Sequence, residues 1–314
     1  MERPNINVEL PGMRLKNPVI AASGTFGFGT EYDGIYPAHL FGAIILKGTT
    51  LKPRDGNPPP RIYETPSGLI NSVGLQNPGI ESVYDEYLPK LQNLRESGTK
   101  VILNIAGDTV DEYEAIASIC EERGMIDGIE VNLSCPNVKK GGVNFGSNPD
   151  IASKVVASVR RKTTLPVIVK LAPVVTDIGK IALSCQEAGA DAISAINTLP
   201  AVVIDIDKQK LFLGGGSGGL SGSAIKPFAL MQVMNIVKRV SIPVIGCGGI
   251  MNSRDAIEFI MVGARAVQIG TGLFVSLKTV ENVINGLVEY LSSVRKDNIS
   301  QIEGIIFNNG ARSF

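Results

Sequence analysis

Eight short apolar runs recur along the chain, each ending in or beside a Gly, Ser, Thr, Asn or Lys, and their recurrence restricts the possible architectures more than any other feature. They cover residues 19–24, 43–48, 101–105, 128–132, 167–171, 192–197, 243–247 and 266–270. Runs this short and rich in Val, Ile and Ala suit strands buried on both faces, as parallel sheets require. Helical spacing fills several intervals, at 151–162, 177–188 and 228–240. Strand and helix alternating eight times predicts an α/β fold, a (β/α)8 barrel. A doubly wound sheet is the rival, but no Gly-x-Gly-x-x-Gly turn follows the first run.

The length of 314 residues fits one such barrel of about 250 residues with insertions, so residues 1–314 are expected to form a single domain. Residues 8–15 have the pattern of a small hairpin able to cap the N-terminal mouth. Long connections are expected after strands 2, 4 and 6, and two of them, 49–78 and 199–227, are dense in Pro and Gly. Connections of that length inside a compact domain usually carry function, although the Gly run 214–219 also suits a flexible surface segment.

Lys and Arg number 30, as do Asp and Glu, for a formal net charge of zero. No long-range field therefore favours nucleic acid or an anionic membrane. Cys120, Cys135, Cys185 and Cys247 show no Cys-x-x-Cys spacing, and His39 is the single histidine, too few soft ligands for a metal site. The opening residues lack a signal-peptide pattern and no apolar run approaches a membrane span. A cytoplasmic protein with free thiols is the expectation.

In a barrel, active-site groups gather at the C-terminal ends of the strands. Ser23, Lys47, Asn104, Asn132, Lys170 and Asn197 all end or follow apolar runs, so one mouth would collect two cations with several amides and hydroxyls. Two lysines there call for an anionic or electron-rich ligand. The segment Asn132-Leu133-Ser134-Cys135-Pro136-Asn137 sets a thiol between two carboxamides. Such a thiol serves either as a reactive group or as a small buried apolar residue in an ordinary turn.

The last two runs end in Gly246-Cys247-Gly248-Gly249-Ile250 and Ile269-Gly270-Thr271-Gly272. Glycines let main-chain N–H groups approach an anion, a helix beginning near Ser253 would add its positive end, and these loops are the usual phosphate cradle of barrels. A cradle, a lysine and a ring of amides suit flavin mononucleotide, FMN, with Lys170 near N1 and the C2 carbonyl to stabilise the reduced ring.

The segments at 22–29, 47–50, 57–61 (Asn-Pro-Pro-Pro-Arg), 71–79 (Asn-Ser-Val-Gly-Leu-Gln-Asn-Pro-Gly) and 132–137 together resemble class 1 dihydroorotate dehydrogenase across nearly the whole chain. The aromatic-Gly run after Ser23 and the Asn-Pro-Pro-Pro-Arg stretch resemble subtype 1B, the catalytic subunit of the NAD-dependent enzyme. The resemblance implies oxidation of dihydroorotate to orotate in pyrimidine biosynthesis. Cys135 would remove the C5 proton while C6 gives hydride to FMN, with Lys47 beside both. Asn71, Ser72, Val73, Gly74, Leu75, Asn132, Asn137, Asn197 and Thr198 would hold the substrate. Ser23, Lys47, Gly48, Asn104, Asn132, Lys170, Ile196, Gly222, Gly248, Gly249, Gly270 and Thr271 would hold FMN.

The chain has no cysteine cluster for iron and sulfur and no second nucleotide fold, so electrons need a partner to reach NAD. The resemblance implies a separate subunit with FAD and a [2Fe-2S] cluster, joined to a homodimer of this chain as a heterotetramer. Cys247 and exposed parts of the Gly-rich connection are candidate relay or contact positions. A class 1A enzyme using fumarate would share the thiol and amides. A tRNA-acting FMN barrel would need a basic face, and a noncatalytic barrel would purify colourless.

Overall fold

The computed structural model describes residues 3–133, 136–137 and 143–308. The chain starts with a hairpin, β1 (Val8–Leu10) against β2 (Met13–Leu15), and enters the barrel at β3 (Val19–Ala21) and β4 (Ala43–Thr49). A second hairpin, β5 (Ile62–Thr65) and β6 (Gly68–Asn71), precedes β7 (Lys100–Ile105) and β8 (Gly128–Asn132). After the short pair β9 (Pro136–Asn137) and β10 (Val143–Asn144) come β11 (Val167–Lys170) and β12 (Ala192–Ala195). The next connection carries β13 (Leu199–Ala201), β14 (Ile204–Asp205), β15 (Lys210–Leu211) and β16 (Gly218–Ser221). Strands β17 (Val244–Cys247) and β18 (Ala264–Ile269) complete the ring.

The closed barrel runs β3-β4-β7-β8-β11-β12-β17-β18, with β18 pairing back onto β3, all in parallel. Every apolar run read from the sequence is one of these strands. Burial on both faces explains why: Ile20, Ile44, Ile45, Ile102, Val131 and Ile193 have no exposure or almost none, leaving no place for polar alternation. Helices Val110–Arg123, Pro149–Arg160, Ile178–Glu187, Lys226–Val237, Ser253–Met261 and Thr279–Ser293 cover the outside. Four of these helices, those beginning at Val110, Pro149, Ile178 and Ser253, have starts fixed by side-chain caps that periodicity does not reveal. The Asn148 side chain accepts from the Asp150 and Ile151 N–H groups, and Asp177 accepts from Lys180.

The N-terminal hairpin seats on the bottom of the barrel as expected. Gly12 packs so closely on Pro166 that a β-carbon would lie 2.7 Å from its Cγ, and Met13 lies against Gly128. The two long connections are ordered strand pairs rather than a flexible surface. They fold onto each other as one antiparallel sheet, β13-β16-β6-β5, with Asn71 opposite Gly219. Glycine permits that approach: a β-carbon on Gly214 would run into the Pro58 carbonyl, and one on Gly219 into the Thr198 side chain.

Candidate active site

Five polar side chains from separate strands meet inside the barrel with little or no exposure: Asn104, Glu130, Lys170, Ser194 and Gln268. Glu130 accepts from Asn104 Nδ2 and from Gln268 Nε2, each at 2.7 Å. Lys170 Nζ donates to Gln268 Oε1 at 3.1 Å and to Ser23 Oγ at 3.3 Å, and lies 3.8 Å from Glu130 Oε1. An ammonium only donates, so it fixes the Gln268 carbonyl toward itself and leaves the Gln268 amide N–H groups for Glu130 and for Ser194 at 2.9 Å. Burial alone pulls the Lys170 pKa down, but the Glu130 carboxylate, with help from Cys247, outweighs it and raises the value above the ordinary lysine range. Lys170 is thus an enclosed lysine with a carboxylate, an amide oxygen and a hydroxyl around its nitrogen.

Asn104 has its amide nitrogen committed to Glu130, and its Oδ1 is buried with no partner. That oxygen faces the mouth, 3.0 Å from where a β-carbon on Gly48 would stand, with Leu75 Cδ2 at 3.1 Å from the same point. A buried acceptor without a donor costs free energy unless a ligand supplies one. Gly48 thus leaves room beside an acceptor that wants an N–H.

Around this opening stand the carboxamides. Asn197 Nδ2 approaches Asn132 Oδ1 at 3.4 Å, and Asn197 Oδ1 accepts from the Thr198 N–H at 2.8 Å. Tyr113 donates its hydroxyl to the Asn132 carbonyl at 2.7 Å and so steadies the end of β8. Asn71 reaches across the covering sheet to the Gly219 carbonyl at 3.2 Å. Gly74 and Leu75 have positive φ, 72° and 54°, in a turn that buried Asn77 staples through the Leu75 carbonyl and Thr50. Lys47 is half-buried near the end of β4. Burial lowers its pKa, Glu31 opposes that and Arg61 adds to it.

On the opposite side, the ends of β16, β17 and β18 converge. Gly222 and Gly249 have φ of 96° and 75°, and a β-carbon on Gly249 would sit 2.9 Å from the Gly222 carbonyl and 2.8 Å from the Lys226 nitrogen. Thr271 and Ser221 share a hydroxyl hydrogen bond of 2.7 Å. Main-chain groups drawn this close, with glycine at the contact points, form a cradle suited to a phosphate.

Residues 5–291 match the family model described as dihydroorotate dehydrogenase. The chain belongs to the dihydroorotate dehydrogenase family. It is 45% identical over 306 residues to "Dihydroorotate dehydrogenase B (NAD(+)), catalytic subunit" of Citrifermentans bemidjiense, covering 98% of this chain and 99% of that one. Proteins of the same description from Desulforamulus reducens and Caldicellulosiruptor saccharolyticus are 48% and 49% identical, covering 96% of this chain in each case and 98% and 99% of theirs.

Within this dihydroorotate dehydrogenase family member, the mouth brings together Ser23, Gly48, Asn104, Lys170 and, nearby, Leu75, Asn132, Asn197 and Thr198. Ile196 follows β12 with its N–H on the Cys247 carbonyl, and Gly248 follows β17. Gly270 leaves its surroundings open, since a β-carbon there would meet nothing closer than 3.6 Å. Ser72 and Val73 tie into the covering sheet: the Ser72 hydroxyl donates to Ser217 and accepts from Asn57, while the Val73 carbonyl accepts from the Asn57 N–H. Cys135 and the side chain of Asn137 lie outside the described residues.

Two expectations change. Cys247 is buried inside the barrel, where burial pushes its thiol pKa up against the pull of Lys170, so it is no surface contact. The helix starting at Ser253 has part of its N-terminal end occupied by its own capping box, in which Asp255 accepts from Met251 and Asn252 while Asn252 accepts from Asp255. Glu130, Ser194 and Gln268 escaped the sequence reading. The signal was a charged or amide residue inside a strand otherwise apolar, two positions from Asn132 in the case of Glu130, and so on the same strand face.

Proposed function

We propose that this chain oxidises dihydroorotate to orotate as the catalytic subunit of an NAD-linked dihydroorotate dehydrogenase, with FMN at the barrel mouth. The observation that carries the cofactor is the orphaned Asn104 oxygen beside the charged, buried Lys170. It asks for a ring N–H next to a site that tolerates negative charge, which is the pyrimidine edge of a flavin. When bound, FMN supplies the two-electron acceptor for the substrate's C6 hydride.

The chain's own residues do the rest. Asn104 Oδ1 would accept a ring N–H and Lys170 would balance charge at N1, while Ser23, Lys47, Gly48, Asn132 and Ile196 would line the ring. Gly222, Gly248, Gly249, Gly270 and Thr271 would receive the phosphate. Asn71, Asn132, Asn137, Asn197 and Thr198, with Gly74 and Leu75 shaping the wall, match a substrate edged with N–H and C=O groups. Lys47, half-buried and cationic, would attract the substrate carboxylate. Cys135 Sγ would take the C5 proton; a free thiol titrates near ~8.5, and a nearby ammonium favours the thiolate.

Electron exit to NAD is assigned to a partner subunit with FAD and [2Fe-2S], in a heterotetramer built on a homodimer of this chain. The printed description of the relatives as catalytic subunits supports a partner. Exposed Val202, Ile204, Ile206 and Leu211 around the β14/β15 hairpin supply apolar surface for assembly. We place the protein in the cytoplasm.

The test is an anaerobic titration of the purified chain. A flavin spectrum that bleaches on dihydroorotate supports the assignment, and a flavin that stays oxidised defeats it. NAD reduction should appear only on adding the partner, whereas turnover with fumarate by the chain alone would move it to class 1A.

A further inference from the structure

Glu130 has no exposed surface, and its three neighbours come from three other strands: Asn104 on β7, Lys170 on β11 and Gln268 on β18. A carboxylate in such a place is costly, and a barrel interior is usually filled by branched apolar side chains. It is kept where its charge is needed. From the elements packed around it, Lys170 meets Glu130, the Cys247 thiol, the Gln268 carbonyl and the Ser23 hydroxyl. Of these, only Glu130 brings a formal negative charge.

We propose that Glu130 is a positioning residue for the flavin: its carboxylate is the counter-ion that lies against Lys170 inside the barrel and, by holding the Asn104 amide nitrogen, turns the Asn104 oxygen toward the cofactor ring. The inference rests on the FMN reading. Both effects come from one group. With Glu130 neutral, Lys170 would face neutral partners alone, and desolvation would favour its uncharged form. A neutral side chain at 130 would keep one carbonyl oxygen for the two amide donors that the carboxylate now serves, Asn104 and Gln268, so which end of the Asn104 amide faces the mouth would no longer be fixed.

The experiment measures the flavin midpoint potential of the holoenzyme from pH 6 to 9, with FMN affinity by fluorescence, in the wild type, Glu130→Gln, Lys170→Met and the double variant. At pH 9, Glu130→Gln should hold reduced relative to oxidised flavin about tenfold more weakly than the wild type, a potential about 30 mV lower for two electrons. The gap should close toward pH 6 as Lys170 regains its proton. Lys170→Met should show a loss that does not close, and the double variant should match it. A Glu130→Gln potential running parallel to the wild type at every pH would overturn the proposal, since a purely structural residue gives a constant offset. If Glu130→Gln does not accumulate folded, the double variant should fold and resist urea, and its failure to do so would overturn the proposal as well. A wild-type chain that binds no FMN would instead sink the cofactor reading.

Discussion

At Asn104 the barrel leaves an acceptor without a donor, while the same side chain's nitrogen is locked to Glu130 at 2.7 Å. Asn104, Lys170 and Ser23 were legible in the sequence because each stands at the C-terminal end of a strand, where a polar side chain has no core to spoil. Glu130, Ser194 and Gln268 were not, because they lie within apolar runs and acquire meaning only when other strands bring them partners. The reacting thiol belongs to this scale too. Cys135→Ala should retain orotate and FMN binding but oxidise dihydroorotate about 10²–10⁴-fold more slowly, the usual worth of a positioned proton acceptor. Cys135→Ser should shift the pH profile of kcat upward. Stopped-flow flavin reduction reads both, and near-normal rates in the alanine variant would remove the thiol from the mechanism.

Among the elements, the helix Ser253–Met261 shows how one side chain joins packing to the site. Asp255 caps the helix and also receives Lys226 Nζ at 2.7 Å, and Lys226 in turn packs against Gly249 in the cradle. Asp255→Ala should cost about 2 kcal/mol, combining a lost cap with the loss of one of the two carboxylates that hold Lys226, Glu258 remaining at 2.9 Å. Urea unfolding measures it, and FMN affinity should fall with it. The covering sheet was illegible beforehand. Residues 49–78 and 199–227 show turn composition, and the pairing of Asn71 with Gly219 joins segments too far apart in sequence for any local pattern to reveal.

Across the whole molecule, four enclosed groups, three thiols and one lysine, lean one way in pH. Burial pushes the thiols of Cys120 and Cys185 up to about 12, Cys247 is raised as well, and Glu130 raises Lys170. Each folded value lies above its unfolded one, so each favours the native state at low pH and loses that effect as pH climbs. Stability should therefore fall from about pH 9 and continue falling toward 12 as the thiols give up protons, with Lys170 adding to the loss above the ordinary lysine range. Thermal melts across pH 7 to 11 check this, and a midpoint that holds flat above pH 9 would contradict it. No helix among the described residues is long and apolar enough to cross a membrane. By itself, the sequence determined the barrel, its eight strands and most polar groups at its mouth, because burial on both faces and strand ends are local properties written in composition and order. Only the tertiary structure decided that Glu130 is the counter-ion of Lys170, that Cys247 is enclosed, and that two Gly-rich connections form one sheet. Those facts depend on contacts between residues distant in the chain, and distance through space is what no run of residues states.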